Sequence, residues 1–230
     1  MPWGTRGILL VAVLIAGGIT LAIWAPRCGL EANAEGEILS CLKSTERSGL
    51  SLPVPGARIP LVSRTHHYDR ISVQVDYPKG TAVAVATLDF TGKLGDTEVS
   101  SLGLERVNFR YRAGNWEPSG GLAPLLVQAV SRLEARRLAL TTGSAGRLAS
   151  LFAGGAGLPT DPHLQRLLSM TSRDYQVKAW YLRSEREGIQ ASEAYRLTGD
   201  APDRPVDEEG LRSLSLIRRG QELFFWPSLM

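Results

Sequence analysis

Two cysteines, three histidines and three methionines are all the soft or borderline metal ligands in this chain of 230 residues. So few exclude a disulfide-dense secreted scaffold, and no His or Cys recurs at the spacing of a zinc site. No glycine loop followed by Lys and Ser or Thr, no nucleophile elbow and no paired-His helix motif occurs, so neither a metal nor a cofactor nor an enzymatic activity is expected. An excess of one charge is lacking too. With 26 basic and 23 acidic residues the net charge is +3, too balanced for nucleic acid to be the main partner. Gly 24 and Pro 13 beside 43% apolar residues exclude a collagenous or mainly disordered chain.

Long hydrophobic runs are absent with one exception. Gly7 to Trp24 holds eighteen uncharged residues, which as a helix span roughly 27 Å, enough to cross a bilayer core. Trp3 and Trp24 fall where aromatic rings prefer the headgroups, and Pro26 stops the helix. A cleaved signal peptide is the competing reading, but the run is long for a signal core and Ala22-Ile23-Trp24 is a poor cleavage site. The expectation is an uncleaved single-pass anchor. Residues 1–27 form a cytoplasmic tip and transmembrane helix, with the amino terminus and Arg6 inside and the bulk of the chain outside. Arginine supplies twenty-two of the 26 basic residues, the bias of a GC-rich bacterial coding sequence, which places the bulk in a periplasm. Cys28 and Cys41 are compatible with a disulfide in that space. In one continuous helix, however, they would lie nearly 20 Å apart at about 1.5 Å per residue, so either the chain doubles back or both thiols are free.

Laid on itself with an offset of 107, the stretch Tyr68 to Arg112 matches Tyr175 to Arg219 at nine positions in 45, without a gap. Gly92/Gly199, Asp96/Asp203 and Gly103/Gly210 are among the pairs and read as turn or loop positions. Arg70 to Tyr77 alternates apolar and polar as a half-buried strand, Pro78-Lys79-Gly80 turns the chain, and Ala82, Ala84, Ala86, Leu88 and Phe90 then share a face. Their counterparts are Ile189, Ala191, Glu193, Tyr195 and Leu197. Beyond a loop, Leu104 to Tyr111 with a short strand through Trp116, and Leu211 to Arg218 with Glu222 to Trp226, complete two antiparallel meanders of about four strands. Helices are expected over Glu31 to Arg47 and from Pro124 to Leu140, with shorter ones at Arg147 to Phe152 and His163 to Met170. The fold class is thus α+β: after the anchor come two related units, 28–121 with a Pro-rich connector at 50–60, and 122–230, each of helices plus a curled antiparallel sheet.

Helices followed by a curled four-stranded antiparallel sheet resemble the nuclear-transport-factor-two-like and cystatin-like folds. The second unit is the more similar, through its helix from Pro124, the stretch Gly143 to Phe152 and the strand opening at Asp174-Tyr175. The resemblance implies a concave sheet covered by helices and includes pocket enzymes, binding modules and bitopic assembly proteins such as the inner-membrane scaffold of type IV secretion. A peptidase inhibitor of the cystatin sort is a third implication, without wedge loops in this sequence to support it.

Chemistry-bearing residues are sparse. His66-His67 with Asp69 is the one cluster suggestive of acid-base or metal work, yet adjacent residues on a strand face opposite ways, and a polar strand start is the better reading. Glu193 stands among apolar residues of one strand face. It is either a carboxylate in a concave pocket, with Tyr195, Trp180 and Tyr175 as further lining, or the partner of an Arg from the helix above. Arg132, Arg136 and Arg137 at helical spacing read as a solvated face. The leading expectation is an assembly or protein-binding module held at the membrane, with partners in the envelope and self-association left open. The alternative is a small-molecule or proton-transfer pocket around Glu193.

Overall fold

The computed structural model describes residues 33–153, 158, 161–184, 188–202 and 204–226. The uncharged run Gly7–Trp24 and Cys28 lie outside them, and among the described residues no helix is long and apolar enough to cross a membrane. Helix α1 (residues 33–48) buries Ala34, Ile38 and Leu42, one side at four-residue spacing, and Gly49 ends it at φ 78°. The connector opens with a short strand, β1 (Ser51–Leu52), which pairs with the start of β2 (Leu61–Asp76).

Three hairpins then build the first meander. β2 turns into β3 (Thr81–Leu94) through Tyr77–Lys79 and Gly80, and β3 turns into β4 (Thr97–Arg112) through Gly95-Asp96. β4 turns into β5 (Asn115–Pro118) through Ala113-Gly114, whose φ values of 48° and 93° are those of a twist-matched two-residue turn. Burial along β3 alternates as the sequence implies, with Ala82, Ala84, Ala86, Leu88 and Phe90 inward. Helices α2 (Pro124–Thr141), α3 (Ala145–Ala149) and α4 (Pro162–Ser169) lead to a second meander: β6 (Ser172–Ser184), β7 (Gly188–Asp200), β8 (Pro205–Arg219) and β9 (Glu222–Trp226). β7 and β9 start 107 residues after β3 and β5, and β8 starts 108 after β4.

Two separate sheets were expected, and the structure has one. β4 and β6 pair in parallel from Glu98↔Ala179 to Leu102↔Arg183, which joins both meanders into a continuous, curled, mixed sheet of nine strands. An unpaired strand edge is a liability, and each meander covers the other's. One apolar cluster accordingly runs through both halves, from Ile38 and Phe90 to Leu133, Trp180 and Phe225. The expected loops at 91–103 and 198–210 are also strand for most of their length. Their glycines answer crowding between strands: a Cβ at Gly92 would run into the Val62 carbonyl, and one at Gly103 into Ser184 across the parallel join.

Candidate functional site

Helix α2 lies against the inner face of the sheet and buries two charged residues, Glu134 and Arg136. Leu126, Ala129, Val130, Leu133 and Leu140 are buried, and Arg136 falls on the same stripe as Ala129, Leu133 and Leu140. Arg136 is 1% exposed, so it does not belong to a solvated arginine face; Arg132 and Arg137 are partly exposed and pair with Glu222 and Glu134. The partner of Arg136 is Glu193 of β7, itself 0% exposed. Oε1 of Glu193 accepts from Arg136 Nη1 at 2.5 Å and from Tyr175 Oη at 2.5 Å, and Oε2 accepts from Trp180 Nε1 at 2.9 Å. Burial pushes the carboxyl up, but the Arg136 charge and the three hydrogen bonds outweigh it and hold Glu193 below the usual carboxylate range. Burial and the neighbouring carboxylate drive the Tyr175 hydroxyl upward.

Of the four residues singled out in sequence, Glu193, Tyr175 and Trp180 are thus joined by hydrogen bonds. Tyr195 stands one layer further out, its ring stacked 5.3 Å from that of Tyr175 and its hydroxyl 3.4 Å from Glu208 Oε1. This is a closed polar knot whose carboxylate oxygens are both engaged by the chain's own donors. It braces α2 on β6 and β7.

His66 and His67 face opposite ways. His66 is buried with Nε2 3.2 Å from Thr45 Oγ1, while His67 is exposed between Glu46 and Asp69, at 3.1 and 3.0 Å. Among the described residues no three His, Cys, Asp or Glu side chains are grouped to hold a metal ion. Cys41 carries a half-buried free thiol that burial pushes up.

An open groove lies elsewhere among the described residues. With a volume of about 1670 Å³, it crosses the join between the meanders, walled by β4, the start of α2, the connector after β1 and the β8–β9 hairpin. Glu105 of β4 lies at its base, 4% exposed, with its two oxygens accepting the Leu125 and Leu126 N–H groups at 2.9 and 2.7 Å. It therefore caps α2, whose own N-cap residue, Ala123, has no side chain to do so. Burial pushes the Glu105 carboxyl up to about 7, against the opposing pull of those two N–H bonds and of Arg218. Further along α2, Ser131 donates to the Pro55 carbonyl at 2.8 Å and Gln128 to the Gln221 carbonyl at 2.6 Å, so one helix ties down both sides of the groove. Sequence reading passed over Glu105, although it shares strand parity with Val107 and Phe109, the same sign that drew attention to Glu193.

No family model matches this sequence, and no curated protein matches it. Among solved structures, a ketosteroid isomerase candidate from Shewanella frigidimarina aligns with 43% of this chain and 90% of its own, at 12% identity and a TM-score of 0.36. A dehydratase candidate of the NTF2-like family from Streptomyces avermitilis aligns with 45% of this chain and 95% of its own, at 11% identity and a TM-score of 0.36. An NTF2-like protein involved in plasmid conjugation aligns with 71% of this chain and 74% of its own, at 6% identity and a TM-score of 0.26. Likenesses this distant carry no argument.

Proposed function

We propose that this chain is a single-pass membrane protein whose tandem α+β body, outside the cytoplasm, binds another envelope protein through the groove at the join of its two halves. The groove carries the reading: it is open, partly apolar and bordered by a stretch of strand edge, the features of a polypeptide-binding surface rather than of a closed catalytic pocket. The competing pocket around Glu193 draws no support from the geometry, because both oxygens of that carboxylate are already occupied and the side chain is enclosed. The anchor rests on the run Gly7–Trp24 and the tandem arrangement on the shared offset of 107 residues. The test is crosslinking in intact cells followed by purification of the full-length protein. A stoichiometric envelope protein should accompany it, and reproducible recovery of the chain alone overturns the reading.

A further inference from the structure

What the groove binds is written in the edge that borders it, and the argument here rests on the protein-binding reading above. Leu102 is the last β4 residue paired with β6, and Phe109 the first paired with β5; between them no described strand lies along this edge. The Ser119 N–H donates to the Asn108 carbonyl at 2.7 Å, which fixes the direction of the main-chain groups. Main-chain polar groups alternate sides along a strand, so Arg106 and Leu104, two and four residues before Asn108, aim their N–H and C=O at the groove. Four strand-type donors and acceptors are therefore presented in a row, and such an edge is a template for an added strand.

We propose that the groove takes an extended acidic segment of a partner protein, which pairs as a strand with Leu104 and Arg106 and sets its carboxylates against Arg106 and Arg218. A volume of about 1670 Å³ exceeds the roughly 300–1,000 Å³ of a small-molecule site and suits a polypeptide. Charge selects the chemistry of that polypeptide. Arg106 and Arg218 are exposed at the groove, and neither is ion-paired among the described residues, whereas Glu222 is engaged by Arg132 and Glu105 by the N–H groups of α2. Leu104 and Arg106 lie two residues apart on one face of β4, so an alternating segment sets its carboxylates on that face and its apolar side chains on the opposite one.

The test titrates the full-length protein in detergent with three labelled peptides. One alternates valine with glutamate, one alternates valine with lysine, and one is the valine–glutamate peptide N-methylated at alternate residues. The valine–glutamate peptide should bind at least tenfold tighter than the lysine peptide, and N-methylation on the pairing edge should abolish binding. The double variant Arg106→Glu with Arg218→Glu should keep its melting temperature and reverse the charge preference. If it does not fold, Arg218→Glu alone, at an exposed position, should narrow the preference. Equal affinity for both charges, or indifference to N-methylation, overturns the inference. A dimer of the chain that the charge reversal dissociates assigns the edge to a second copy, and overturns it as well. Photocrosslinkers placed at position 104 and, separately, on the outer face at 211 distinguish failure of this inference from failure of the reading beneath it. Partners captured only from 211 sink the groove and leave protein binding standing, whereas none from either position sinks both.

Discussion

Glu193 is a carboxylate that the fold cannot easily lose. Replacing it with Ala leaves the Arg136 guanidinium buried without its counter-charge, a change that costs about 3–5 kcal/mol. Glu193→Ala should therefore show a large loss of urea midpoint, and Arg136→Met combined with Glu193→Leu should recover much of it; a single variant as stable as the parent would show the knot to be dispensable. Glu105 adds a pH dependence of its own. An acid whose folded pKa is about 7 and whose ordinary value is 4.5 binds its proton more tightly when folded. Its contribution is complete below 4.5 and is lost as pH rises through 7, by up to about 3 kcal/mol over the window. Glu105→Gln should flatten the fall of stability between pH 5 and 8, measured by urea denaturation, and an unchanged slope would assign the dependence to other groups.

At the scale of elements, the β4–β5 turn holds a removable strain. Ala113 sits at φ 48° beside Gly114, in the left-handed region that a Cβ disfavours by about 1–2 kcal/mol. Asn tolerates it, and Ala113→Asn, which creates the preferred Asn-Gly turn, should raise stability by about 0.5–1 kcal/mol in thermal melts. Gly103→Ala should do the reverse, by about 1–3 kcal/mol, because its Cβ meets Ser184 across the parallel join. Strand faces such as Ala82 to Phe90 were legible in the sequence, since period-two alternation is local, and so was α2 with Pro124 in its first turn. The parallel join was not. Val99 to Leu102 carries two serines and follows Gly95-Asp96, so it reads as loop, and nothing local announces a partner some eighty residues away. Arg136 was misread because neighbouring arginines suggested a wet face, although its place on the Ala129–Leu133–Leu140 stripe gave the burial away. The groove was illegible for a simpler reason: its walls come from segments far apart in the chain.

For the whole molecule, one sheet and one apolar cluster imply that the two halves do not unfold independently. The full-length protein should melt in one cooperative transition, with circular dichroism and tryptophan fluorescence coincident; two resolved transitions would show that the join is loose. Membrane topology is tested by a reporter at the carboxyl terminus, which should be active only outside the cytoplasm.

The parallel join also orders events during synthesis. Glu98 and its partner Ala179 are separated by 81 positions, so at about 5–20 residues per second the first meander waits roughly 4–16 s with a raw β4 edge before β6 emerges. The hairpins β2–β3 and β3–β4 close locally and early, whereas the join, of far greater sequence separation, closes late. During that interval the nascent chain shows a longer open edge than the finished protein, and a neighbouring nascent copy is a competitor for it. Glu98 and Arg106, charged residues on the outer face along that edge, then act as guards against premature pairing.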